Sequence, residues 1–207
     1  MSADISKGAP KSRPLYLYGC GTLFAICMLL FTASMLRQGY AYVKPDERGV
    51  VISALEPSGL RSEPLGPGLH FIVPMLEVVH IYSISPQAYT MSVATTAGQP
   101  ADDDPVVTQS KDGKKVAITG SVVYSINPAE IINLHVSWQD RYQAELVRPL
   151  VRGISRDTIS RYYSFDLVGF YRTKVEQDIT EQLRQKFAEN GLILTDFTIQ
   201  DVHLIDE

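Results

Sequence analysis

Cysteine is nearly absent from this chain. Cys20 and Cys27 are the two in 207 residues, seven apart inside one apolar run. The remainder has no thiol for a disulfide framework, a thiolate zinc site or a cysteine nucleophile, and the redox compartment stays open. Equally missing are a glycine-rich phosphate loop, a nucleophile elbow around a serine, and a cluster of histidine with acids. Serine, histidine and aspartate all occur, but scattered residues define no triad. The sequence therefore argues for no enzyme chemistry and implies no cofactor. His70 and His80 lie ten residues apart without companion ligands, so no metal site is expected there. Asp102, Asp103 and Asp104 lack the glycine and distal glutamate of a calcium loop, and read as a solvated turn. An excess of positive charge is also lacking: from position 37 onward the chain carries 16 basic and 22 acidic residues, a net of −6. An acidic domain makes a poor nucleic-acid binder, and none is expected as a partner.

What the chain does have is one long uncharged run. Leu15 to Leu36 is 22 residues without a charge, bracketed by Arg13 and Arg37. As a helix it would extend roughly 33 Å, enough for a hydrocarbon core of about 30 Å. The expectation is a retained transmembrane helix, with Leu15, Leu23, Phe24, Ile26, Leu30 and Leu36 as anchor residues. Three readings compete: a cleaved signal peptide, with small residues at Thr32-Ala33-Ser34 but an unusually long apolar region; a lipoprotein site at Leu17-Tyr18-Gly19-Cys20, with almost no apolar region before it; and a buried core helix, odd for a run apolar on every face. Lys7, Lys11 and Arg13 cluster on the leading tail. They tilt the orientation toward an N-terminus in the cytoplasm with the domain on the opposite side.

The chain divides as follows. Residues 1–14 are a polar, proline-containing disordered tail, 15–36 the transmembrane helix, and 37–48 a juxtamembrane connector with Tyr40 and Tyr42 suited to the interface. Residues 49–126 read as β-rich: Gly49 to Leu55 is a strand, and Gly66 to Ile81 is an apolar stretch broken by Pro74. That stretch is either a hairpin in the core or a loop dipping into the bilayer interface through Leu69, Phe71, Ile72, Val73, Met75 and Leu76. From Ser83 the pattern is strand-like, through Ile84, Ala88, Tyr89 and Met91 to Thr96. Val106 to Thr108 and Val116 to Ile126 form a hairpin around Asp112-Gly113, with Val116, Ile118, Gly120, Val122, Tyr124 and Ile126 on one face.

From Asn127-Pro128 the period turns helical. A short helix runs to about Leu134 and a longer one over Asp140 to Ser160, kinked or divided at Pro149. Tyr142, Leu146, Leu150, Ile154 and Thr158 form one row of it. Arg148, Arg152 and Arg156 form another, either a solvated face or a contact to acidic lipid or to a neighbouring subunit. A third helix, capped by Ser164 or Asp166, spans Leu167 to Glu189. Its core stripe is Val168, Tyr171, Val175, Ile179, Leu183 and Phe187, with Glu176, Asp178 and Glu181 on a charged outward face. Asn190-Gly191 stops it, and Leu192 to Leu204 is a strand.

Four stretches in order resemble the SPFH (band 7) family: Val43 to Val51 (VKPDERGVV), Gly66 to Pro74 (GPGLHFIVP), Val107 to Tyr124, and Glu145 to Val202. The last resembles the prohibitin branch most closely. The resemblance implies an α+β fold: an N-terminal transmembrane helix, then a two-lobed SPFH domain with a membrane-proximal β-rich lobe (49–126) and an α/β lobe (127–207). In the family that second lobe continues into a coiled coil, which is not present here, so this chain reads either as a fragment of a longer protein, the favoured reading, or as a short form without that assembly helix. The loop Ala101 to Pro105 is longer than the family's usual connection. The function implied is a membrane scaffold that oligomerises into a ring or cage, as a homo-oligomer or with an SPFH paralogue. It would organise a membrane microdomain, with membrane lipid and an AAA membrane protease as partners. The alternatives are a membrane-tethered hydrolase or its catalytic partner, and a monomeric adaptor.

Overall fold

The computed structural model of the protein describes residues 15–91, 105–169 and 171–205, with side chains described for all of these except 15–22 and 35–38. The expected tail, the strand beyond Met91 and the Asp102–Asp104 turn lie outside the described residues.

Helix α1 covers Leu15–Gln38. Short strands follow: β1 (Tyr40–Val43), β2 (Glu47–Ser53), β3 (Gly68–Phe71), β4 (Glu77–Ser83) and β5 (Gln87–Met91). Then come β6 (Val106–Gln109) and the 12-residue β7 (Lys115–Ile126). The helical part comprises α2 (Ile131–Trp138), a 3-10 turn (Gln139–Arg141), a π turn (Gln143–Val147), α3 (Arg148–Ile159), α4 (Ser164–Val168) and α5 (Arg172–Glu189). The 14-residue β8 (Leu192–Ile205) closes the chain's described part. The fold is mixed α+β.

Strand β7 organises the larger region. Its residues Val116, Ile118, Val122, Tyr124 and Ile126 are buried, as expected, but Ala117 and Thr119 are buried as well, so the alternation holds from Gly120 onward and the first half of the strand is covered on both faces. Strand β8 runs antiparallel along its whole length, while β5 takes residues 120–124 and β6 takes 115–118. One edge of β7 therefore serves two short strands in succession and the other serves one long one. Gly120 sits at a register shift, where β8 comes so close that a Cβ would meet the Thr198 carbonyl oxygen at 2.8 Å. Helix α5 packs on this sheet through Val175, Ile179, Leu183 and Phe187, all fully buried. It ends at Gly191, whose φ of 75° is the left-handed conformation that glycine adopts without strain.

The smaller region consists of two separate pairs, β1 with β3 and β2 with β4. This corrects the core-hairpin reading of Gly66 to Ile81: its two arms, β3 and β4, pair with different strands. Pro74 and a left-handed Met75 (φ 69°) turn the chain between them.

Several helical expectations shift. The helix after Asn127 begins at Ile131, and Asn127 Oδ1 accepts from the Ala129 amide in the preceding turn. The expected Asp140 to Ser160 helix follows a left-handed Gln139 (φ 54°) and is divided into a 3-10 turn, a π turn and α3, with Pro149 at the start of α3 directly after the π turn. Of the expected row, Tyr142, Leu146 and Thr158 are buried, and Leu150 and Ile154 are half-buried against the core; Val147, Val151, Ser155 and Ile159 beside them also face inward. Val168 and Tyr171 are exposed, because the chain breaks at Gly169 and α5 starts in a new phase. Nor does Ser164 or Asp166 cap the third helix as expected. Asp112, in the β6–β7 turn, accepts from the Ser164 amide (2.9 Å) and hydroxyl (2.7 Å). These bonds hold the Asp112 carboxyl well below the usual carboxylate range.

Candidate functional site

One feature that the fold does not use for its own core is an apolar edge beside α1. Pairing of β1 with β3 sets Tyr40 opposite Phe71, and their rings meet edge to face with centroids 5.8 Å apart. The Ile72 amide donates to the Gly39 carbonyl at 2.9 Å, one residue past the end of α1. Leu69, Phe71 and Met75 are 67%, 61% and 85% exposed, and Leu76, Tyr40 and Tyr42 are exposed beside them. Ile72 and Val73 are half-buried. Between Leu69 and Leu76 the one ionisable side chain is His70, whose Nε2 lies 2.7 Å from the Gly66 carbonyl. The result is a nearly uncharged apolar prong tied by backbone to the end of a helix.

Beneath the prong lies a buried carboxylate that sequence reading did not single out. Glu77, 6% exposed, accepts four side-chain or backbone donors. Ser53 Oγ (3.0 Å) and Arg61 Nε (3.0 Å) reach Oε1; Arg61 Nη2 (2.6 Å) and the Val73 amide (2.9 Å) reach Oε2. Burial alone would raise its pKa, but the bonds from Val73, Arg61 and Ser53 outweigh that and hold it below the ordinary glutamate value. The available signal was a lone acid between two apolar runs, IVPMLEVVHI. Its partner Arg61 also lines an open, polar groove with Glu56, Ser62, Glu63, Gly66 and His70.

Of the expected anchor residues, Leu23, Phe24, Ile26 and Leu30 are exposed on α1, while the side chains of Leu15 and Leu36 lie outside the described residues. Side chains of α1 are described for residues 23–34 alone, and among the described residues no helix is long and apolar enough to cross a membrane. Arg156 is exposed on α3, and Arg148 and Arg152 are half-buried. The charged face of α5 is less free than expected. Glu176 Oε1 accepts from the Ile199 amide at 2.9 Å, Arg172 reaches the Ile199 and Gln200 carbonyls, and Tyr162 bonds Asp178. Two α5 side chains thus seal part of the outer edge of β8.

One titratable pair joins the two regions. Tyr82 Oη on β4 and His135 Nδ1 on α2 share a 2.5 Å hydrogen bond, and the His80 ring stands 5.1 Å from that of His135. Burial lowers the His135 pKa and the neighbouring His80 lowers it further, against a smaller opposing pull from Asp140; burial raises Tyr82 to about 12. Among the described residues, no group of three or more His, Cys, Asp or Glu side chains is placed to hold a metal ion.

The order of short strands, apolar prong, long central hairpin, paired helices and closing strand coincides with a known family. The model of the SPFH domain / Band 7 family matches residues 41–207. This chain belongs to that family. The relatives of this SPFH chain include the Mitochondrial prohibitin complex protein 1 of Caenorhabditis elegans, 24% identical over 182 residues that cover 86% of this chain and 60% of the relative. Prohibitin-1 of Saccharomyces cerevisiae is 25% identical over 171 residues, 81% of this chain and 53% of the relative. Prohibitin 1 of Drosophila melanogaster is 21% identical over 157 residues, 76% and 51%. The chain thus spans about half to three-fifths of the length of these curated relatives.

Proposed function

We propose that this SPFH chain is a membrane-anchored scaffold without catalytic activity of its own. Its apolar N-terminal run, Leu15 to Leu36, anchors it in the bilayer, with the N-terminus on the cytoplasmic side and the domain on the other. The prong from Leu69 to Leu76 enters the interface next to the anchor. The carrying observation is the Ile72–Gly39 backbone bond, which ties the exposed apolar prong to the end of α1. A surface of this kind, apolar, uncharged and rimmed by tyrosines, suits the boundary between acyl chains and headgroups. Arg148, Arg152 and Arg156 contact acidic lipid or a neighbouring subunit. Copies assemble into a ring or cage, alone or with an SPFH paralogue, delimiting a membrane microdomain and regulating an AAA membrane protease. The name of the Caenorhabditis elegans relative, which places that protein in a mitochondrial prohibitin complex, supports an assembly.

The direct test is alkaline extraction of membranes carrying the full-length protein. An anchored scaffold stays with the lipid pellet after high salt and alkaline carbonate. Release into the supernatant by carbonate overturns the anchor.

A further inference from the structure

The prong is not a slack loop, and the geometry points to Glu77 as the residue that positions it: the Ser53–Arg61–Glu77 clamp holds Met75 and Phe71 in the conformation that meets a lipid surface. This rests on the membrane reading of the prong given above.

Three observations carry the inference. Met75 keeps a left-handed backbone (φ 69°) although it is a long, unbranched residue with no side-chain reason to do so, and among the described residues its side chain is the most exposed of the large apolar ones. Strain of that kind persists where the surroundings over-determine it. Second, the surroundings do so here through a short set of bonds. The Val73 amide donates to Glu77 Oε2, the Leu76 and Glu77 amides both reach the Val73 carbonyl, and the Ala54 amide takes the Leu76 carbonyl. Third, the carboxylate is itself held from outside the loop. Ser53 belongs to β2, and Arg61 to the segment whose own amide bonds the Val51 carbonyl. The loop is therefore braced against the β2–β4 pair by a charge pair, where a larger apolar core would otherwise be needed.

A glutamine at position 77 cannot replace the carboxylate. One end of its amide is a donor and would face the Arg61 guanidinium in either orientation, and the Val73 N–H as well in one of them, all donors themselves. Glu77 itself does not touch lipid; it acts through the loop.

The experiment uses the full-length protein with Cys20→Ser, Cys27→Ser and Met75→Cys, labelled at position 75 with an environment-sensitive fluorophore and reconstituted into phosphatidylcholine vesicles containing a nitroxide-labelled phosphatidylcholine. A Glu181→Cys label on the exposed face of α5 serves as the water-exposed reference. With the clamp intact, the label at 75 is quenched by the nitroxide lipid and the reference is not. Adding Glu77→Gln drops quenching at 75 to the reference level. The Val73 amide then exchanges with solvent roughly tenfold faster, the scale of one ordinary hydrogen bond lost, while far-ultraviolet dichroism is unchanged. Arg61→Lys, which keeps the charge but loses the two-pronged donor, gives an intermediate loss and covers the case in which Glu77→Gln does not fold. Quenching that survives both substitutions overturns the positioning role and leaves the membrane reading intact. Absence of quenching with the clamp intact overturns the membrane reading, and this proposal with it.

Discussion

The β1–β4 region and the β7–β8 region of this molecule are built on opposite plans. Around β7, the apolar side chains point inward: Tyr124, Phe187, Ile179, Leu183 and their neighbours form one large buried cluster that also takes in Val50 and Tyr82. Around β1 to β4, the second cluster consists of Val43, Val51 and Leu65 with Val79 against them, and large apolar side chains face outward instead. Hydrogen bonds and one buried charge pair hold the small region together; burial of apolar area holds the large one. The difference teaches that exposure of Leu69, Phe71 and Met75 is not a failure to bury them. The chain has a separate device, Glu77, that keeps them out.

That comparison can be broken from either side. The largest effect belongs to the β7 region: Phe187→Ala, which empties a fully buried site against the Tyr124 ring, costs roughly 3–5 kcal/mol in urea unfolding. A loss below about 1 kcal/mol would mean that this core is not close-packed. Next is Glu77→Gln. It removes one member of a charge pair whose other member, Arg61, keeps about a third of its side chain in solvent, so the cost is set at roughly 2–3 kcal/mol, concentrated in the β2–β4 region.

A smaller effect tests the joint between the regions. His135 has a lowered pKa in the folded protein, so the unfolded chain binds the extra proton more readily. Its contribution to stability is complete above the ordinary histidine value of about 6.5 and is lost as pH falls below it toward the folded value. His80 facing it adds to the loss, and Asp140 opposes it. Thermal midpoints should therefore fall on acidification through this window, and fall less in His135→Gln, which keeps an acceptor for Tyr82 without titrating. Equal slopes in the two proteins would remove the joint from the account. The smallest effect on stability is Phe71→Asp with Met75→Asp, within about 0.5 kcal/mol in the same urea assay, because both side chains already lie in solvent.

Much of the β7 region was legible in the sequence, for physical reasons specific to it. Alternation along Val116 to Ile126 has one solution in a half-buried strand, Asp112-Gly113 marks its turn, and the row Val175, Ile179, Leu183 and Phe187 fits one helix face. The π turn ahead of α3 was not legible, since it inserts a residue that no 3.6-residue pattern announces. Nor was the Asp112 bond to Ser164, which joins residues 52 apart. In the small region, four-residue strands such as β1 and β3 carry too few side chains to identify a partner, and the pairing of β3 with β1 in preference to β4 came from the structure. The apolar stretch Leu69 to Leu76 was visible as a candidate; the clamp beneath it was visible only as an isolated glutamate.

The central claim is that this chain acts by assembling at a membrane. The most direct measurement is the mass and outline of the full-length protein after gentle detergent solubilisation, by light scattering and negative-stain imaging. Ring- or cage-shaped particles of many copies are expected. A small monodisperse particle carrying one or two copies would contradict it, leaving the SPFH fold in place but removing the scaffold.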